Sequence, residues 1–144
     1  MENSTEQNLV WVLIRSSIPA KLVFAKTAEH FGLTHMQLLT LCLVNSHKEG
    51  PAMQAITTTL GCDASNVTGL VDKLVNQGFL ERSESLHDRR AKVIKLTKKG
   101  EQTRSNALYE LAQSDIFNNL TPKELNTLID LLGKLQSNGK SSVY

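Results

Sequence analysis

The chain has 144 residues, 40% of them apolar, with a formal net charge of +2. That length fits one domain able to bury its own core, and the composition carries no signature of disorder. Cys42 and Cys62 form no CxxC pair, no apolar run approaches the ~20 residues of a membrane span, and the polar start "MENSTEQN" is not a signal peptide, so a cytoplasmic protein without a membrane partner is expected.

"TEQNLVWVLIRSSIPAKLVFAKTAEHFGLT" reads as a long helix that Gly32 ends. Pro19 lies inside it and predicts a kink or a break, because proline removes one backbone hydrogen bond and clashes with the preceding turn. "THMQLLTLCLVNSH" predicts a second helix. Thr34 and Gln37 form its T-x-x-Q capping box, and Leu38, Leu41 and Cys42 share one face. "EGP" (49–51) is a turn.

"AMQAITTTLGCDASNVTGLVDKLVNQGFL" carries most of the information. A short helix from about Ala52 to Leu60 is broken by Gly61, and Asp63 is suited to cap the next helix. There Val67, Leu70, Val71, Leu74 and Val75 recur at helical spacing as one apolar stripe, and Gly78 ends the element. The opposite face offers Ser65, Asn66, Thr68, Gly69, Lys73 and Asn76. A helix, a tight glycine turn and a second amphipathic helix with a polar N-terminal face form a helix-turn-helix pattern. "FLERSES" and "AKVIKLT" then predict two short strands joined by the polar "LHDRR", so the unit is a winged helix.

The positive charge is focused on this wing. Between Arg82 and Arg104, eight Lys or Arg stand against Glu84, Asp88 and Glu101, giving the segment +5 while the rest of the chain is negative. Such a patch beside a helix-turn-helix points to double-stranded DNA. Beyond it the chain is helical again. Thr121, Pro122 and Glu124 mark a helix start, and Leu125, Leu128, Ile129, Leu132 and Leu135 form a stripe before a tail, "SNGKSSVY", expected to fray. Long apolar helices at both ends exceed what so small a DNA-binding core needs, and suggest a homodimer.

Two motifs carry a resemblance. "DRRAKVIKLTKKG" matches D-x-R followed by five residues and L-T-x-x-G, with Asp88, Arg90, Leu96, Thr97 and Gly100 in place. "SNVTGLVDKL" matches S-x-x-T-x-L-V-D-x-L. Both, with the order of elements, resemble the MarR family of bacterial transcription regulators. The resemblance implies a mainly α fold with a small β-hairpin wing: a winged helix-turn-helix (34–100) flanked by N- and C-terminal dimerisation helices (1–33 and 101–144) in a single domain. It implies a homodimeric repressor on a pseudo-palindromic operator, released by a small ligand or an oxidant. Where the family often has Arg or another polar residue this chain has Gly69, which removes one possible base contact and permits close approach to DNA.

The candidate DNA-binding residues are therefore Ser65, Asn66, Thr68, Gly69 and Lys73 of the recognition helix and Arg89, Arg90 and Lys92 of the wing. Short neutral hydrogen-bonders suit base edges, Lys73 and Lys92 suit phosphates, and Arg90 suits a narrow minor groove. Asp88 is expected to orient Arg90. A candidate pocket for an anionic or aromatic effector joins Arg15, Pro19 and Met36 where the N-terminal helix, the second helix and the helix after Thr97 meet. No catalytic residue, metal ligand or cofactor is expected: the G-x-S-x-G, P-loop and dinucleotide patterns are missing, and His30, His35, His47 and His87 lack metal-ligand spacing. Two other readings stay open. One is a thiol-based redox regulator using Cys42 or Cys62; the other is a winged helix that binds protein rather than DNA.

Overall fold

Reciprocal capping starts the first helix. The Gln7 amide donates to Ser4 Oγ at 3.2 Å and the Ser4 amide to Gln7 Oε1 at 3.1 Å, and α1 follows over Thr5–His30. In the computed structural model, which describes residues 4–45 and 49–139, α1 is continuous through Pro19, so the break expected there does not occur. Proline removes a single hydrogen bond from a helix of 26 residues, and the turns on either side hold it. α1 also corrects the expectation about apolar length. An 18-residue window averages a hydropathy of 1.3, so by length and composition it could cross a membrane, and none of that window is buried. Ser16, Ser17 and Pro19 interrupt the apolar run and lower its average, which still stays high enough for a span by composition.

The chain divides into two compact units, Met1–Gln113 and Ser114–Tyr144. In the first, α2 (His35–Asn45) opens with the Thr34–Gln37 capping box, both bonds of which form. α3 (Met53–Leu60) ends at Gly61, whose φ of 62° lets its amide reach the Thr57 carbonyl. α4 (Ala64–Asn76) ends at Gly78 (φ 76°), with the Gly78 amide on the Val75 carbonyl and the Phe79 amide on the Leu74 carbonyl. β1 (Leu80–Glu84) and β2 (Lys92–Leu96) pair antiparallel, with Leu80 opposite Leu96 and Glu84 opposite Lys92. β2 does not alternate strictly between a buried and an exposed face: Val93 and Ile94 are both buried. The Ile94 amide donates to the Pro51 carbonyl at 2.9 Å, so the "EGP" segment covers that side of the strand.

The core draws on every layer of this unit. Leu38 and Leu41 from α2, Ile56 from α3, Val67, Val71 and Leu74 from α4, Leu80 and Ile94 from the hairpin and Ala107 from α5 (Lys98–Ala112) form one buried cluster with Ala28 of α1. Within the expected stripe of α4, Leu70 and Val75 are only partly buried. The L-T-x-x-G motif is structural. Thr97 caps α5 by accepting from the Gly100 amide at 3.1 Å, and its hydroxyl donates to the Gly78 carbonyl at 2.6 Å. Gly100 is buried, and a Cβ there would drive into the Phe79 carbonyl. His30 Nδ1 lies 2.8 Å from Glu110 Oε1, which joins α1 to α5.

The second unit holds a short 3-10 turn, Asp115–Phe117, and α6 (Pro122–Gly139). Thr121 and Glu124 cap α6 reciprocally, and those hydrogen bonds hold the Glu124 carboxyl below the usual carboxylate range. Of the tail expected to fray, Ser137–Gly139 still belongs to α6 and residues 140–144 lie outside the described residues, as does His47.

Candidate nucleic-acid interface

The apolar stripe of α4 turns Val67, Val71 and Leu74 into the core, which leaves Ser65, Asn66, Thr68, Gly69 and Lys73 exposed together on its other side. Asp63 takes the N-cap position with extended backbone, yet its side chain makes no capping hydrogen bond. The cap expected from its chemistry is therefore positional only, and the amides of the first turn keep no side-chain acceptor. Exposed helix N-termini of this kind favour a phosphate. The Asn66 carboxamide has no hydrogen-bond partner among the described residues, so its donor and its acceptor are both available.

The wing tip is shaped by its own backbone. Asp88 Oδ1 accepts from the Arg90 amide at 2.9 Å, and the Asp88 carbonyl accepts from the Ala91 amide at 2.9 Å. Asp88 thus orients Arg90 through the main chain, not through its guanidinium. His87 Nε2 lies 2.9 Å from Glu49 Oε1, which ties the tip to the segment before α3. Arg89 and Arg90 are exposed and have no ion-pair partner among the described residues.

Three other members of the basic cluster have structural partners, which charge counting does not reveal. Arg82 pairs with Asp72, so strand β1 is joined to α4. Exposed pairs of this kind add only about 0–1 kcal/mol; this one bridges the first strand of the hairpin and α4. Lys92, a candidate phosphate contact, lies 3.3 Å from Glu84, its partner across the hairpin. Lys99 donates to the Gln77 carbonyl at 2.8 Å, at the C-terminal end of α4, and sits 4.3 Å from the centre of the Phe79 ring.

The candidate effector residues are brought together only in part. An open cavity of about 730 Å³ lies between α1 and α2, walled by Ile18, Leu22, Phe24, Met36 and Leu39, with Lys21 and His35 as its ionisable groups. Met36 lines it; Arg15 and Pro19 are exposed and do not, and no residue of α5 contributes. Lys21 was missed in the sequence because it lies two residues past Pro19, on a stretch with no motif of its own. Met36 also lines a smaller cleft of about 240 Å³ with Cys62, Asn66, Val67 and Leu70, so one side chain borders both the cavity and the start of α4. Cys42 is half-buried. Burial pushes its thiol up, against the pull of the Arg104 guanidinium, which disfavours the reactive thiolate. Cys62 Sγ donates to the Leu60 carbonyl at 3.5 Å. Among the described residues no three His, Cys, Asp or Glu come together as a metal site.

Comparison with known proteins places this geometry. A profile described as "MarR family" matches residues 33–92. An uncharacterised HTH-type transcriptional regulator of Bacillus subtilis, YfiV, is 32% identical over 108 residues, which are 74% of this chain and 66% of that protein. This chain therefore spans just under two thirds of the length of that relative. Among solved structures, the transcriptional repressor CouR bound to a 23-mer DNA duplex superposes with a TM-score of 0.71 at 25% identity, over 94% of this chain and 99% of that one. CouR from Rhodococcus jostii RHA1 bound to p-coumaroyl-CoA superposes with a TM-score of 0.76 at 21% identity, over 99% of each chain.

Proposed function

This chain is a member of the MarR family, and we propose that it is a sequence-specific DNA-binding transcriptional regulator of the cytoplasm. It acts as a homodimeric repressor on a pseudo-palindromic operator. The observation that carries this reading is the pairing of an exposed polar face on α4 with two arginines on the wing that have no ion-pair partner among the described residues, the hairpin being joined to α4 by the Arg82–Asp72 pair. In this reading Ser65, Asn66 and Thr68 meet base edges in the major groove, Lys73 and Arg89 meet phosphates, and Arg90 enters the minor groove. Lys92 contributes less, since Glu84 already neutralises it.

A second copy of the chain supplies what single chains lack. Leu9, Val10, Trp11, Val12, Ile14, Ile18 and Leu22 of α1 are all exposed, and so are Leu128, Ile129, Leu131 and Leu135 of α6. Apolar surface on this scale is an interface, and a two-fold partner presents two recognition helices to two half-sites. The helical ends, 1–33 and 101–144, serve as dimerisation elements around the winged helix, 34–100.

The test is the salt dependence of binding to a selected duplex. Each neutralised phosphate releases counterions, so affinity falls steeply with ionic strength. Lys73→Ala is expected to weaken all duplexes alike and to flatten the slope of log K against log salt by about one. Binding that ignores salt would leave the winged helix as a protein-interaction module.

Release by a small ligand uses the cavity between α1 and α2. Its apolar walls accept an aromatic body, and Lys21, with His35 when protonated, accepts an anionic head. Such a ligand acts only by binding the DNA-free conformation more tightly. Aromatic carboxylates are expected to release the operator from the wild type and from Arg15→Ala, and to do so much less from Lys21→Ala. Equal responses from all three would move the effector out of this cavity.

A further inference from the structure

Three features of α4 bear on which base pairs it reads, granted the DNA-binding reading above. The helix holds no arginine, and its one cation, Lys73, stands more than two turns from its start. Arg and Lys are the side chains that most often pair with guanine O6 and N7, and the residues nearest the helix N-terminus lack that bidentate cation. Asn66, by contrast, keeps a free carboxamide, the group that bonds adenine through N6 and N7.

Thr68 supplies the second feature. Its hydroxyl donates to the Ala64 carbonyl at 2.8 Å, so the proton is used inside the helix, and what remains for a base edge is the methyl and the oxygen as an acceptor, with no donor.

Gly69 supplies the third. It is exposed and its conformation does not call for glycine; a Cβ built there would meet nothing within 4 Å. Glycine weakens a helix relative to alanine. Nothing among the described residues asks for this weakening, which points to a body that approaches the helix from outside. Gly69 lies one turn after Ser65 and Asn66 and one turn before Lys73, which places a notch one methyl deep in the middle of the polar stripe.

Of the groups on major-groove base edges, the thymine C5-methyl is the carbon that projects. We infer that α4 reads an A·T-rich half-site. Asn66 pairs with an adenine edge, the Thr68 methyl packs on one thymine methyl, and the Gly69 notch admits another where any side chain would collide.

The full chain would first be used to select duplexes from a random pool. A·T pairs are expected at the major-groove positions that α4 protects. Each thymine of the best site would then be replaced in turn by deoxyuridine, which lacks only the methyl. The wild type is expected to lose about fourfold at each thymine that α4 contacts, the worth of one buried methyl. Gly69→Ala, which should melt at a higher temperature than wild type, is expected to lose at least about tenfold on the intact operator. On one deoxyuridine duplex it should bind more tightly than on the thymine duplex, the reverse of the wild type. G·C pairs under α4, or a Gly69→Ala protein that binds the intact operator like wild type or gains nothing from any deoxyuridine, would overturn this inference alone. A chain that retains no duplex at all would remove the DNA-binding reading, and this inference with it.

Discussion

Gly100→Ala is expected to lower folding stability by about 3 kcal/mol, the upper end of the cost of overpacking a filled site. The first turn of α5 lies against the chain that leaves α4: the Thr97 amide donates to the Phe79 carbonyl at 3.1 Å, and the Thr97 hydroxyl reaches the Gly78 carbonyl. A methyl at position 100 meets the Phe79 carbonyl and Leu96. The carbonyl is backbone and cannot swing aside as a flexible side chain would. Relief requires α5 to move away from the hairpin, which breaks the Thr97 cap. Urea unfolding of the variant checks this, with Gly133→Ala as its control: Gly133 is also helical, but a Cβ there meets nothing. The control should be as stable as wild type or more so. A Gly100→Ala protein within 0.5 kcal/mol of wild type, roughly the scatter of surface substitutions, would contradict the packing described for this motif.

Arg90→Ala is expected to weaken operator binding by roughly 1–3 kcal/mol, the worth of one good specific contact. The side chain is exposed, has no ionic partner among the described residues, and stands on a turn that Asp88 fixes through the Arg90 amide. No core contact is lost with it, so the melting temperature should not change. Lys92→Ala is the internal comparison. That ammonium lies beside Glu84, so its removal takes away less net attraction for phosphate and should cost less than Arg90. The two affinities, measured by titration on the same duplex, rank the residues. If Arg90→Ala binds like wild type, the wing contacts DNA through other groups.

The elements themselves were legible in the sequence because local chemistry determines them. The capping pairs Thr34–Gln37 and Thr121–Glu124 form as the spacing predicts, and Gly61 and Gly78 end their helices in the left-handed conformation that glycine alone adopts cheaply. The face of α4 followed from its apolar stripe. What was not legible depends on pairing between elements. Arg82, Lys92 and Lys99 look like members of one basic patch along the chain, and of these only Arg82 is also readable from sequence as a structural ion pair. Their partners are Asp72 on another element, Glu84 across the hairpin, and the Gln77 carbonyl at the end of α4. Register and helix packing create those partners, and no local window contains them. Pro19 predicts a kink or a break by a local rule; the break does not occur, because a long helix absorbs one missing hydrogen bond. For the cavity, helical phase decides: Lys21 lines it and Arg15 does not.

In the proposed complex, two copies of α4 and two wings grip one duplex about a two-fold axis. Hydroxyl-radical footprinting of the selected operator measures this directly. A symmetric pattern is expected, with two protected backbone segments about one helical turn, ~10 bp, apart from centre to centre, each flanked by minor-groove protection that Arg90→Ala removes. A single one-sided footprint, or protection that stays the same without Arg90, would contradict it.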